Sequence, residues 1–197
     1  MSDQFLTAGF AAPVRDAQAT FRALLDAMAR PGTIANLPTP AEPPPAPLCP
    51  AGAAAALALC DADTPVWLDA GLAKGGVPAW LRFHCGCPIV PEAASAAFAF
   101  GEDAAPDMQA LDEGSDLYPD RSTTLVLHVA SLSAGALLRL TGPGIEEATQ
   151  IRVAGLCADF VAQRAENRKK YPRGVDCILV AGKQALCLPR STIVEPG

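Results

Sequence analysis

Apolar residues recur with helical spacing at Val14, Ala17, Phe21, Leu24, Leu25 and Met28, just after Pro13. This stripe predicts an amphipathic helix over Val14 to Met28, with the proline in its first turn. Pro31 and Gly32 end it. Residues 38–50 hold seven prolines, too many for a hydrogen-bonded element, so this stretch is expected to be a surface loop. The alanine-rich run Ala51 to Leu59 predicts a short helix, and Asp61 to Pro65 a turn into a strand at Val66 to Leu68. Residues 77–88 fit either a strand, with alternating Leu81, Phe83 and Cys85, or a helix. The helix is preferred, because Pro78 suits a first turn while Gly86 and Pro88 suit an end.

Further along, Ala97 to Phe100 predicts a short strand and Asp107 to Glu113 a short helix, followed by a turn-rich segment, Gly114 to Ser122. Thr123 to Ala130 and Ala136 to Thr141 are rich in β-formers and close enough in sequence to predict a hairpin. A strand at Thr149 to Val153 and a helix from Leu156 to Lys170 follow. A second hairpin is expected from Cys177 to Ala181 and Ala185 to Leu188 across Gly182-Lys183-Gln184. No repeat recurs along the chain. The mixture of strands and helices predicts one α/β layered domain on a mixed sheet, spanning residues 1–197, with 38–50 as an excursion from it.

Composition narrows the function classes. Half of the 197 residues are apolar and 18% are charged, which excludes wholesale disorder. No apolar run is long enough to span a bilayer, and Met1 to Gly9 shows no basic, then apolar, leader pattern. A cytoplasmic location is expected. The net charge of −6 argues against nucleic acid, whose binders carry a basic stripe. The basic stretch Arg164 to Arg173 reads first as a solvated helix end. Seven cysteines without a leader read as reduced thiols. Cys177 and Cys187, inside apolar runs, read as small core residues. No metal site is expected: no C-x-x-C occurs, and His84 and His128 lack zinc-ligand spacing.

No phosphate-binding glycine loop, dinucleotide fingerprint, metalloprotease motif or nucleophile elbow is present. The remaining candidates are local. Arg82 beside His84 would suit a phosphoryl group, but on a helix the two point about 200° apart; a helix-end histidine bonded to backbone is the plainer reading. His128, mid-strand, reads as structural or subunit-facing. Asp61, Asp63 and Thr64 stand at a strand start, where turn chemistry alone accounts for them. Arg190, past the last strand, would reach an anion or a partner chain.

Five blocks in order resemble the PhnH family. They are FAAPVRDAQATFRALLDAMARPG (Phe10 to Gly32), DADTPVWL (Asp61 to Leu68), LRFHCGCP (Leu81 to Pro88), LRLTGPGI (Leu138 to Ile145) and YPRGVDCILV with LCLPRST (Tyr171 to Thr192). The resemblance runs from about Phe5 to Val194 and leaves only the proline-rich loop unaligned. It implies a fold similar to the large domain of pyridoxal-phosphate-dependent transferases, without that cofactor. It also implies a homodimer that joins PhnG, PhnI and PhnJ in the carbon–phosphorus lyase core complex. Its step there would form ribose 1-methylphosphonate 5-triphosphate from MgATP and methylphosphonate, with catalysis on another subunit. Arg22, Arg82, His84 and Arg190 stand in the matching blocks and are the candidate contacts with ligand or subunits. The alternatives are a free-standing enzyme acting on a phosphorylated metabolite through Arg82 and His84, and a purely structural dimeric scaffold.

Overall fold

The computed structural model describes residues 8–102 and 107–197. In chain order the elements are α1 (Pro13–Ala29), β1 (Ile34–Asn36), α2 (Pro50–Leu59), β2 (Val66–Leu68), α3 (Val77–His84), β3 (Phe98–Gly101), β4 (Thr124–His128), β5 (Ser131–Thr141), β6 (Thr149–Ala154), α4 (Phe160–Lys169), β7 (Asp176–Ala181), β8 (Gln184–Leu188) and β9 (Ile193–Pro196). Six strands form a mixed sheet in the order β1-β8-β7-β4-β3-β2, and three form an antiparallel sheet in the order β6-β5-β9. Neighbours among β2, β3, β4 and β7 run parallel, while β8 returns antiparallel to β7 and β1 antiparallel to β8.

The larger sheet is covered on both faces, which explains why its central strands read as unbroken apolar runs. Val126, Ile178 and Val180 point to the side of α1, α2 and α3, packing with Leu24, Ala53, Ala56, Leu81 and Phe100. Leu125, Leu127, Cys177 and Leu179 point to the other side. There they meet Leu138, Leu140, Ile151 and Val153 of the smaller sheet and Phe160 of α4. Helix α2 is apolar all round, and Ala51 and Ala53 to Ala56 are fully buried. Its methyl-sized side chains let its backbone lie close between α1 and the sheet.

One expected pairing fails. Thr123 to Ala130 and Ala136 to Thr141 do not form a hairpin, because both edges of β4 are occupied, by β3 and β7. The chain leaves β4 and changes sheets within two residues: Val129 N still bonds Val180 O, whereas Ala130 N bonds Ala154 O at the end of β6. Strand β5 starts earlier than expected and pairs with β6 across a register shift between Ser131 and Ala136. Gly135 sits there at φ +92°, its α-carbon so close to Val153 and Ala154 that a β-carbon would collide with their backbone. The helix expected at 107–113 reduces to a single 3-10 turn, Met108–Ala110. Helix α4 begins four residues later than expected, at Phe160. The hairpin β7–β8, the helix α3 and the strand β2 are as expected. The short strands β1 and β9 were not foreseen; each extends an edge of a sheet. Cys177 and Cys187 are fully buried, as their apolar surroundings implied.

Candidate functional site

In a sheet of parallel strands the carboxyl ends open toward one edge, where loops diverge and ligands bind. Here that edge holds a cleft of about 540 Å³, lined by Asp69, Gly71, Glu102, His128 and Cys49 with an apolar remainder that includes Val129 and Val180. Its polar groups come from successive strands: Asp69 follows β2, Glu102 follows β3, and His128 ends β4. The wall is completed by Pro47 and Cys49 from the proline-rich loop and the start of α2.

Backbone bonds fix these acids. Asp69 Oδ1 accepts from Leu72 N at 2.8 Å and Oδ2 from Glu102 N at 2.7 Å. The buried aspartate thereby ties the loop after β2 to the end of β3. Glu102 folds over Gly71, where an added β-carbon would strike its Oε2 and come within 3.4 Å of Asp69 Oδ1. The two carboxylates therefore converge on one point of the cleft.

His128 is 7% exposed, and its Nε2 has no hydrogen-bond partner among the described residues. Burial pushes its pKa down to about 4, against a smaller upward pull from Asp69, so the imidazole is neutral at physiological pH. Cys49 caps α2, its Sγ accepting from Gly52 N at 3.4 Å, and burial raises its pKa despite backbone hydrogen bonds. The first turn of α2 offers no open donor to an anion. Pro50 has no N–H, Ala51 N bonds Gly182 O, Gly52 N bonds Cys49 Sγ and Ala53 N bonds Cys49 O.

None of the four residues expected from sequence lines this cleft. Arg22 is exposed on α1 and Arg82 is exposed on α3. His84, half-buried at the end of α3, packs against Trp80 at 4.6 Å and Phe83 at 4.9 Å between ring centroids, and burial lowers its pKa. Arg190 is spent internally: Nε and Nη2 clasp Asp176, Nη2 also reaches Ser122 Oγ at 2.8 Å, and Nη1 donates to Pro119 O at 2.5 Å. Asp61, Asp63 and Thr64 form a turn at the amino end of β2, away from the cleft's edge, with Asp61 Oδ1 accepting from Asp63 N and Thr64 Oγ1. Three of the residues that do line the cleft, Asp69, Glu102 and His128, are polar residues at or just past the carboxyl ends of β2, β3 and β4.

A family model described as "Bacterial phosphonate metabolism protein (PhnH)" matches residues 8–195, almost the whole chain. The chain belongs to the PhnH family. A Rhizobium meliloti (strain 1021) PhnH, named "Alpha-D-ribose 1-methylphosphonate 5-triphosphate synthase subunit PhnH", is 45% identical over 194 residues, covering 98% of this chain and 96% of that protein. A Stutzerimonas stutzeri protein named "Putative C-P lyase subunit protein HtxG" is 39% identical over 82 residues, 42% of each chain.

Proposed function

We propose that this chain is an accessory subunit of the carbon–phosphorus lyase machinery of phosphonate catabolism. Its step is the one that makes ribose 1-methylphosphonate 5-triphosphate from MgATP and methylphosphonate. The observation that carries this reading is the 45% identity, over 98% of the chain, to a relative named as a subunit of that synthase.

The surface supports a subunit role. Val14, Phe21 and Leu25 lie on one stripe of α1, 87%, 50% and 58% exposed, a spacing of two and three helical turns. An apolar stripe of this length on a helix that already buries Leu24 and Ala27 inside fits a homodimer contact, with the exposed Arg22 at its rim. Arg82, Phe83 and His84 at the end of α3 offer a second polar-and-aromatic patch, suited to PhnG, PhnI or PhnJ. The carboxyl-edge cleft has no lysine among the described residues that line it. Among the described residues no helix is long and apolar enough to cross a membrane, and we place the protein in the cytoplasm.

The test is to co-express this chain, alone carrying a tag, with its PhnG, PhnI and PhnJ counterparts, and to measure adenine release from MgATP and methylphosphonate with and without it. Recovery of all four chains, with release that depends on this one, is expected. A chain that purifies alone, with release unchanged by its omission, overturns the reading.

A further inference from the structure

Two Tyr-Pro turns stand side by side at the amino edge of the larger sheet, the edge opposite the cleft. Tyr118-Pro119 precedes β4 and Tyr171-Pro172 precedes β7. Nη1 of Arg190 holds both turns, donating to Pro119 O at 2.5 Å and to Pro172 O at 3.4 Å. Each tyrosine is exposed and carries a guanidinium over its ring: Arg121 lies 4.1 Å from the Tyr118 centroid and Arg168 5.0 Å from that of Tyr171. The other cations around them are neutralised, Lys169 by Glu166, Lys170 by Glu113 and Arg173 by Asp116. Arg121 and Arg168 are not. Among the described residues neither side chain makes an ion pair or a hydrogen bond, and Nε of Arg168 is buried without a partner. Leu117, beside Tyr118 in the chain, is 76% exposed. Backbone bonds brace the turns, Ser115 N and Arg121 N to Tyr118 O and Gly174 N to Glu113 O, so this surface is set before any partner arrives.

We propose that this face docks an acidic segment of another protein subunit, with carboxylates on Arg121 and Arg168 and apolar side chains against Leu117 and the two tyrosines. Tyrosine and arginine are the residue types that protein interfaces concentrate. A guanidinium held over a ring presents its outer N–H groups as a planar fork that matches a carboxylate. Water leaving the interface strengthens the contact with the ring as well. Free phosphate would leave the apolar surface uncovered. A nucleic acid needs a stripe of free cations, and the patch has only Arg121 and Arg168 unspent. Asp120, exposed on the same turn as Arg121, opposes an acidic partner and gives the test a variant of opposite sign. That the partner belongs to the synthase assembly rests on the subunit reading; that it is acidic rests on the patch alone.

The probe is the assembly of the PhnG, PhnI and PhnJ counterparts, presented to the immobilised full chain, with affinity and melting temperature measured for each variant. Arg121→Glu and Arg168→Glu should each weaken binding by at least about tenfold, and Tyr118→Ala by about tenfold. Asp120→Asn should tighten it, and rising salt should weaken the wild type more than Arg121→Glu. Lys183→Glu, the same charge change on the exposed β7–β8 turn, should leave affinity unchanged. Arg121 is exposed, so Arg121→Glu keeps the wild-type melting temperature and decides the question even where Arg168→Glu, with its buried Nε, fails to fold. Wild-type affinity in Arg121→Glu and Tyr118→Ala would overturn the proposal, and so would an equal loss in Lys183→Glu. Inorganic tripolyphosphate raising the melting temperature of the wild type but not of Arg121→Glu would overturn it too, as a site for free phosphate. A wild-type chain that binds the assembly no better than those variants do loses this inference alone. A wild-type chain that does not bind the assembly loses the subunit reading and the inference with it.

Discussion

Nε2 of His128 lies 2.6 Å from the point where a β-carbon on Gly52 would stand, and Cε1 lies 3.0 Å from it. The first turn of α2 thus packs directly on the imidazole, and glycine is there for space. Gly52→Ala should destabilise the chain by about 1–3 kcal/mol through overpacking. In a His128→Ala background the same change should become neutral or slightly stabilising, since alanine is the better helix former. Urea unfolding of the four proteins in this double-mutant cycle measures the coupling; independent effects would show that the contact is not made.

Acid should weaken the fold through the same histidine. Its folded pKa of about 4 lies below the usual 6.5 because burial disfavours the cation. The stabilising contribution is therefore complete above pH 6.5 and is lost as pH falls through 4. His84, also depressed by burial, acts in the same direction, so the comparison must isolate His128. Between pH 7 and 4.5 the wild-type chain should lose about 2–3 kcal/mol more than His128→Asn, read from denaturant midpoints at each pH. Parallel curves for the two proteins would exclude a buried neutral imidazole.

Arg190 should behave as a structural clamp. Its guanidinium holds Asp176 at 2.5 Å and the carbonyl of Pro119 at 2.5 Å, joining the start of β7, the end of β8 and the segment before β4. Arg190→Ala should cost about 2–4 kcal/mol because it strands a largely buried carboxylate. Arg190→Lys should recover little of this, lacking the planar fork. Thermal melting of the isolated chain checks both; a full-strength fold in Arg190→Ala would release the residue for a role in ligand or subunit contact.

Arg164 is 1% exposed and faces carbonyls instead of a carboxylate: Val175 O at 3.1 Å, Pro189 O at 2.5 Å and Thr192 O at 3.4 Å. It pins α4 to the turn between β8 and β9. Arg164→Met fills similar space yet leaves those carbonyls unpaired, and should cost about 2–4 kcal/mol. Hydrogen exchange should show the loss centred on β9. Uniform loosening of both sheets would contradict this local role.

The exposed stripe on α1 should be the chain's own dimer contact. Phe21→Glu and Leu25→Glu touch solvent-facing positions, so the fold should persist with stability within about 0.5 kcal/mol. Light scattering should then show the dimer giving way to monomer. An unchanged dimer would assign the stripe to another subunit.

The hydrophobic pattern carried α1, α2, α3 and the β7–β8 hairpin because each has a local cause: a helical stripe, an alanine run, a proline in the first turn, a short glycine-led turn. It misplaced β4 and β5 because nearness in sequence suggested pairing, while β4 was already flanked by β3 and β7. Strand edges are filled by chain segments far away, and no local window reports that. Arg22, Arg82, His84 and Arg190 stood out as polar residues in family blocks. Only the folded chain shows Arg190 clasping Asp176 and His84 packed on Trp80.

By itself, then, the sequence determined an α/β chain of the PhnH family with an acidic composition, since these depend on residue type and order alone. Tertiary structure decided the site. Asp69, Glu102 and His128 are spread over some 60 positions and come together only because three parallel strands end at one edge of the sheet. Charge and burial there depend on neighbours in space. The acid that caps one loop and the histidine whose Nε2 packs under α2, without a partner among the described residues, acquire their chemistry from that closure.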